Sequence, residues 1–182
     1  MKNHAFTLIE LLVVVLIIGI LSAIALPNYQ RAVWKSRNTQ FKQALRSISE
    51  AEQVYYLANG QYSADFSTLD LDFPATHVPT TANQNIEPCK LRVQGNDSLR
   101  ETDSFQIILN STNIQNGLWI VGVWKTGPYK CNGFLMFDDQ TMQCFETRNG
   151  TSLISPGDFC VKLENAGNPT DGNMWTASRY SW

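Results

Sequence analysis

Residues 6–26 are apolar except for Thr7, Glu10 and Ser22, and no other stretch of the chain approaches this. Coiled as a helix rising 1.5 Å per residue, such a segment is roughly 30 Å long, the hydrocarbon thickness of a bilayer. Such a helix can span a membrane. Five residues precede it, with Lys2 the one lysine among them. A secretory signal has a shorter apolar region, with its small-residue cleavage site after that region rather than before it. The run is therefore expected to stay in the mature chain.

The remaining length suits one further domain. With 182 residues and 43% hydrophobic content, the chain is long enough for one core beside a membrane segment and too short for two large ones. A net charge of −2, from 14 basic and 16 acidic residues, supplies no bulk positive field, so no nucleic-acid partner is predicted. Four cysteines, Cys89, Cys131, Cys144 and Cys160, all follow the membrane segment at spacings far from CxxC. That argues against zinc and for two disulfides in an oxidising compartment, with four buried thiols as the alternative. Cys131 and Cys144 flank a hairpin-like segment, which suggests that they pair and leave Cys89 to Cys160.

Beyond Pro27 the pattern becomes an amphipathic helix. Tyr29, Val33, Phe41, Ala44, Leu45, Ile48, Ala51 and Tyr55 recur at steps of three and four, with Arg31, Lys35, Lys42, Arg46, Glu50 and Glu52 among the other positions. Asn59-Gly60 is a stop signal, since both residues tolerate the left-handed conformation that ends helices, and the end is placed near Ala58. Residues 61–89, rich in Pro, Thr, Asp and Asn, read as a loop region. Strands are predicted at 105–109, 118–124, 133–137 and 142–147, with short connections that favour antiparallel pairing. The tail from 164 is polar and turn-forming, with Trp175, Tyr180 and Trp182 to pin it down. The expected class is α+β: a long N-terminal helix whose second half packs on a small antiparallel sheet, and a disulfide-stabilised C-terminal region.

Ala5-Phe6-Thr7-Leu8-Ile9-Glu10-Leu11-Leu12, followed by Gly19 and Pro27, resembles the N-terminus of type IV pilins and pseudopilins. Tyr55-Tyr56-Leu57-Ala58-Asn59-Gly60-Gln61-Tyr62 is similar to a helix-ending region of the same superfamily. The resemblance implies a leader over 1–5, a membrane and polymerisation helix over 6–29, its amphipathic continuation over 30–58 and a head domain over 59–182. It implies cleavage by a prepilin peptidase between Ala5 and Phe6, where glycine usually stands in place of Ala5, and methylation of the new Phe6 amine. It also implies self-assembly with other pilins at an inner-membrane assembly platform. The head domain would be periplasmic in the precursor and on the pilus afterwards.

Glu10 stands out without the resemblance, because a carboxylate in an apolar helix costs up to a few kcal/mol unless paired or neutralised. Four residues, about 6 Å of helix, separate it from Phe6, so in a staggered bundle it would meet a neighbour's Phe6 amine; the alternative is a headgroup-depth side chain. Gly19 and Pro27 bracket a locally weak stretch of helix, because Pro27 removes a backbone hydrogen bond and Gly19 costs about 1 kcal/mol against alanine. In the family the matching stretch can unwind in the filament.

No catalytic constellation is legible, and neither an enzyme activity nor a cofactor nor a metal is predicted. His77 lies in the loop region, Asp138-Asp139 reads as a turn, and Asp70 and Asp72 read as solvated carboxylates rather than calcium ligands. Asn96, Asn110 and Asn149 head Asn-x-Ser/Thr triplets of the kind chance provides. Arg31, Lys35 and Arg37 after the apolar run oppose an external head under the positive-inside rule; the cysteines and the leader outweigh that signal. The leading reading is a structural pilus subunit. A type II secretion pseudopilin and a minor pilin that binds DNA or a surface ligand are the alternatives.

Overall fold

A computed structural model describes residues 7–63, 65–81, 84–93, 98–111, 117–147, 157–167, 169–174 and 177–182. The leader, Phe6, Asn96, Asn149 and Trp175 lie outside them. Two compact units are present, Met1–Thr39 and Gln40–Trp182.

Helix α1 spans Leu8–Asn59, 52 residues, and continues through Gly19 and Pro27. The Asn28 side-chain amide donates to the Ile24 carbonyl at 3.1 Å, one turn back beside the proline. The helix ends one residue past Ala58: Gly60 takes φ 71° and donates to the Tyr56 carbonyl. Asn59 Nδ2 bonds the Tyr55 carbonyl at 2.9 Å. Glycine accepts that left-handed backbone without a Cβ penalty, which is what a helix stop requires.

The second unit is built on an eight-stranded antiparallel sheet. Its strands are β1 (Thr76–His77), β4 (Leu99–Glu101), β5 (Phe105–Ser111), β6 (Leu118–Trp124), β7 (Gly133–Phe137), β8 (Met142–Thr147), β9 (Pro169–Met174) and β10 (Ala177–Tyr180). The order is β1-β4-β5-β6-β7-β8-β10-β9, and a separate hairpin joins β2 (Asn85–Ile86) to β3 (Leu91–Arg92). The four strands expected from sequence form the centre. The presumed loop region carries β1 and β2, and the polar tail contributes β9 and β10 at the other edge. Edge strands pair through backbone groups and need no apolar alternation, so composition hides them.

Both faces of the sheet are covered, which is why β6 is buried along nearly its whole length rather than alternately. On one face Phe41, Leu45 and Ile48 of α1 are fully buried. The Phe41 ring meets Phe105 at 4.5 Å, Trp124 at 4.9 Å and Phe134 at 5.9 Å between centroids. Gly122 of β6 opens the space for this, since a Cβ there would lie 2.7 Å from the Phe41 ring. On the other face Ile108, Val121, Val123, Leu135 and Phe145 pack with Ile86, Leu91 and Val93.

The disulfides are Cys89–Cys131 and Cys144–Cys160, and the expected pairing of Cys131 with Cys144 is wrong. Register explains it. Cys144 stands directly opposite Phe134, and directly opposed residues share a face, so Cys144 lies on the helix side. Cys131 sits in the cluster on the opposite side. Each cysteine reaches the partner available on its own face.

Glu52, one of the positions outside the apolar series read from the sequence, is 0% exposed. It follows Ile48 by one turn and so falls on the buried stripe.

Candidate functional site

The first described turn of α1 is a capping box. Thr7 Oγ1 donates to Glu10 Oε2 at 2.6 Å and the Thr7 backbone N–H to the same oxygen at 2.8 Å. The Glu10 N–H returns a longer bond to Thr7 Oγ1 at 3.3 Å. Thr-x-x-Glu before an apolar run is the sequence signature of this motif, and Thr7-Leu8-Ile9-Glu10 fits it, a signal the sequence reading passed over. The carboxylate thus satisfies one backbone donor, the Thr7 N–H, at the start of its own helix.

Every residue from 7 to 32 is exposed, among them Leu8, Leu12, Leu16, Ile20, Ile24 and Leu26. The helix is long and apolar enough to cross a membrane, and none of its most apolar stretch is buried within the protein. A Cβ added at Gly19 would meet nothing within 4 Å, so no contact within the chain accounts for glycine there. Past the apolar run, Tyr29 is exposed and the Arg37 guanidinium lies 4.9 Å from the Trp34 ring centre.

In the second unit the C-terminal segment is held by a buried anion. Glu146 accepts the backbone N–H of Gly157 at 2.6 Å, of Phe159 at 2.9 Å and of Cys160 at 2.8 Å, and the Tyr180 hydroxyl at 3.2 Å. These donors open a π-helical turn, Asp158–Leu163, and Cys160 is also the disulfide partner of Cys144 in β8. A carboxylate facing the free N–H groups of a helix start satisfies them together. Lys42 of α1 pairs with Glu164, with its ammonium 4.9 Å from the Phe134 ring centre and 4.7 Å from that of Trp182. Trp182 donates from Nε1 to the Glu164 carbonyl at 3.2 Å, so it does pin the tail.

Among the other sequence candidates, Asp138-Asp139 form the expected turn. Asp139 Oδ1 accepts the Thr141 N–H at 2.9 Å and its hydroxyl at 2.6 Å, bonds that lower the carboxyl pKa below its usual value. His77 is exposed in β1. Among the described residues, no cluster of three or more His, Cys, Asp or Glu side chains comes together. Asn110 falls within β5, a strand rather than a free loop.

A family profile described as the prokaryotic N-terminal methylation motif matches residues 1–26. The type IV major pilin protein PilA of Myxococcus xanthus is 41% identical over 66 residues, 36% of this chain and 30% of that protein. Fimbrial protein Q of Moraxella bovis is 33% identical over 120 residues, 66% of this chain and 64% of that protein. The type IV major alpha-pilin of Moraxella bovis is 63% identical over 38 residues, 21% of this chain and 24% of that protein. The matched stretch thus spans less than two thirds of each of these relatives. No solved structure matches. The methylation motif over residues 1–26 and the matches to pilins and fimbrial proteins thus make this chain similar to type IV pilins.

Proposed function

We propose that the chain is the precursor of a structural subunit of a type IV pilus. A prepilin peptidase removes residues 1–5 by cutting between Ala5 and Phe6, and the Phe6 amine is methylated. Residues 6–29 hold the subunit in the inner membrane, 30–58 continue the helix, and 59–182 form the head on the periplasmic side. At the assembly platform α1 leaves the lipid and packs against α1 of other copies. Gly19 and Pro27 bracket the stretch that yields under extension.

One observation carries this reading: an exposed apolar helix whose single charged side chain between residues 7 and 30 is Glu10. Lipid covers that surface in the precursor and other copies cover it in the filament. Glu10, engaged by its own Thr7 in the single chain, pairs there with the Phe6 amine of a neighbour. In a low dielectric that pairing is strong enough to set the stagger between subunits. The two disulfides support an external head, since such bonds persist in oxidising compartments.

The test is to compare parent, Glu10→Ala and Glu10→Gln at equal subunit levels in the membrane, counting filaments sheared from cells. Assembly fails or slows in Glu10→Ala while membrane insertion persists, and Glu10→Gln separates charge from shape. Full assembly of Glu10→Ala would sink the pairing. Mass spectrometry of the extracted protein gives a chain that starts at a methylated Phe6; an intact Met1 would overturn processing.

A further inference from the structure

We propose that Arg31, Lys35 and Arg37, with Trp34 and Tyr29, form a collar on α1 that binds anionic phospholipid headgroups of the leaflet facing the head domain. The proposal rests on the reading of residues 6–29 as membrane-spanning. Its occupant follows from charge, position and arrangement.

No acidic residue lies between Glu10 and Glu50, while Arg31, Lys35, Arg37, Lys42 and Arg46 all do. Lys42 is taken by Glu164. Arg31, Lys35 and Arg37 are exposed, and among the described residues none of the three pairs with a carboxylate. Among the described residues they are cations without a counter-charge. Their position is set by helix rise: Arg31 follows Leu26 by about 7 Å of axis and Arg37 by about 16 Å. The polar layer of a bilayer extends roughly 5–8 Å beyond the hydrocarbon on each side. Arg31 lies within it, and the long side chains of Lys35 and Arg37 reach back toward it. Tyr29 and Trp34 are the aromatic types that favour this depth.

At about 100° per residue, Arg31 and Lys35 share one side of the helix and Arg37 lies roughly 120° away. Trp34 supports Arg37 on that second side. Lipid meets a single helix from all around, whereas a protein partner meets it from one direction, so cations on two sides fit headgroups better. The same contacts explain how a basic cluster is tolerated on the side that the positive-inside rule disfavours.

The full chain is reconstituted in phosphatidylcholine vesicles doped with spin-labelled phosphatidylglycerol or spin-labelled phosphatidylcholine. The fraction of each label immobilised at the protein is measured at low and high salt. The expected result is a preference of about fivefold or more for phosphatidylglycerol, since each cation near an anionic surface contributes about 1 kcal/mol, and a decline at high salt. The triple variant Arg31→Gln, Lys35→Gln, Arg37→Gln loses the preference while its head keeps both disulfides. Equal immobilisation of the two lipids by the parent, or a preference that survives in the triple variant, overturns the collar. Co-flotation with the vesicles is scored separately. A chain that does not float overturns the membrane-spanning reading as well, and a chain that floats without selecting overturns only this proposal.

Discussion

The Glu52 carboxylate of α1 accepts the backbone N–H of Ser63 at 2.9 Å, which ties the segment after the helix back onto its last turns. Its other oxygen has no hydrogen-bond partner among the described residues. Burial raises its pKa from 4.5 to about 7, against the opposing pull of the Ser63 bond. The Tyr62 phenol beside it is also pushed up, first by burial and then by the charges of Asp138, Tyr56 and Glu52. A carboxyl whose pKa rises on folding favours the protonated native state. Its contribution is therefore full below pH 4.5 and is lost as pH rises through about 7. Thermal melts of the detergent-solubilised protein should show Tm falling across that window, and Glu52→Gln should flatten the fall. An unchanged slope in the variant would assign the effect to other groups.

Glu146 is a buried side chain whose carboxyl oxygens accept three N–H groups and one hydroxyl. Glu146→Ala strands those donors, and each unsatisfied buried group costs about 1–3 kcal/mol, so a loss of several kcal/mol is expected in denaturant unfolding. Tyr180→Phe removes one bond and should cost about 1 kcal/mol.

Gly122 sets how closely the helix approaches the sheet, and Gly133 how closely β7 approaches β6. Gly122→Ala places a Cβ 2.7 Å from Phe41 and 3.0 Å from Leu45, and overpacking of this kind costs about 1–3 kcal/mol. Gly133→Ala meets the Gly122 backbone oxygen at 1.9 Å and should be worse, because a backbone moves less readily than a ring. Phe41→Leu should partly rescue Gly122→Ala and leave Gly133→Ala unrescued, since contacting residues couple. Equal melting temperatures for both glycine variants would contradict this.

Non-reducing peptide mapping should return Cys89 joined to Cys131 and Cys144 joined to Cys160. Loop-closure arithmetic for separations of 42 and 16 residues gives about 4 and about 3 kcal/mol. The double variant Cys89→Ser, Cys131→Ser should therefore lower the denaturation midpoint somewhat more than Cys144→Ser, Cys160→Ser.

What the sequence reveals and hides follows from how far each interaction reaches. The apolar run, the Asn59-Gly60 stop and the four central strands are written in local periodicity, and all appear where expected. Glu52 is absent from the apolar series because it carries a charge, although its spacing from Ile48 puts it on the buried stripe. The short edge strands and β9–β10 depend on backbone pairing with β4 and β8, which leaves no pattern in side chains. Cysteine pairing needs the face of each cysteine, and that depends on register between β7 and β8. Thr7-Leu8-Ile9-Glu10 carries the capping-box spacing within four residues, so that contact is local and legible.

The Cys144–Cys160 bond joins β8 to the chain on the far side of residues 145–159. A protease that cleaves anywhere in that interval severs one peptide bond and releases nothing. The fragment that carries β9 and β10 stays attached through sulfur, and Glu146 still gathers the same backbone donors if the cut falls after it and before Gly157. A cut in that interval is thereby uncoupled from loss of the C-terminal edge of the sheet, a form of fault tolerance built into the covalent connectivity.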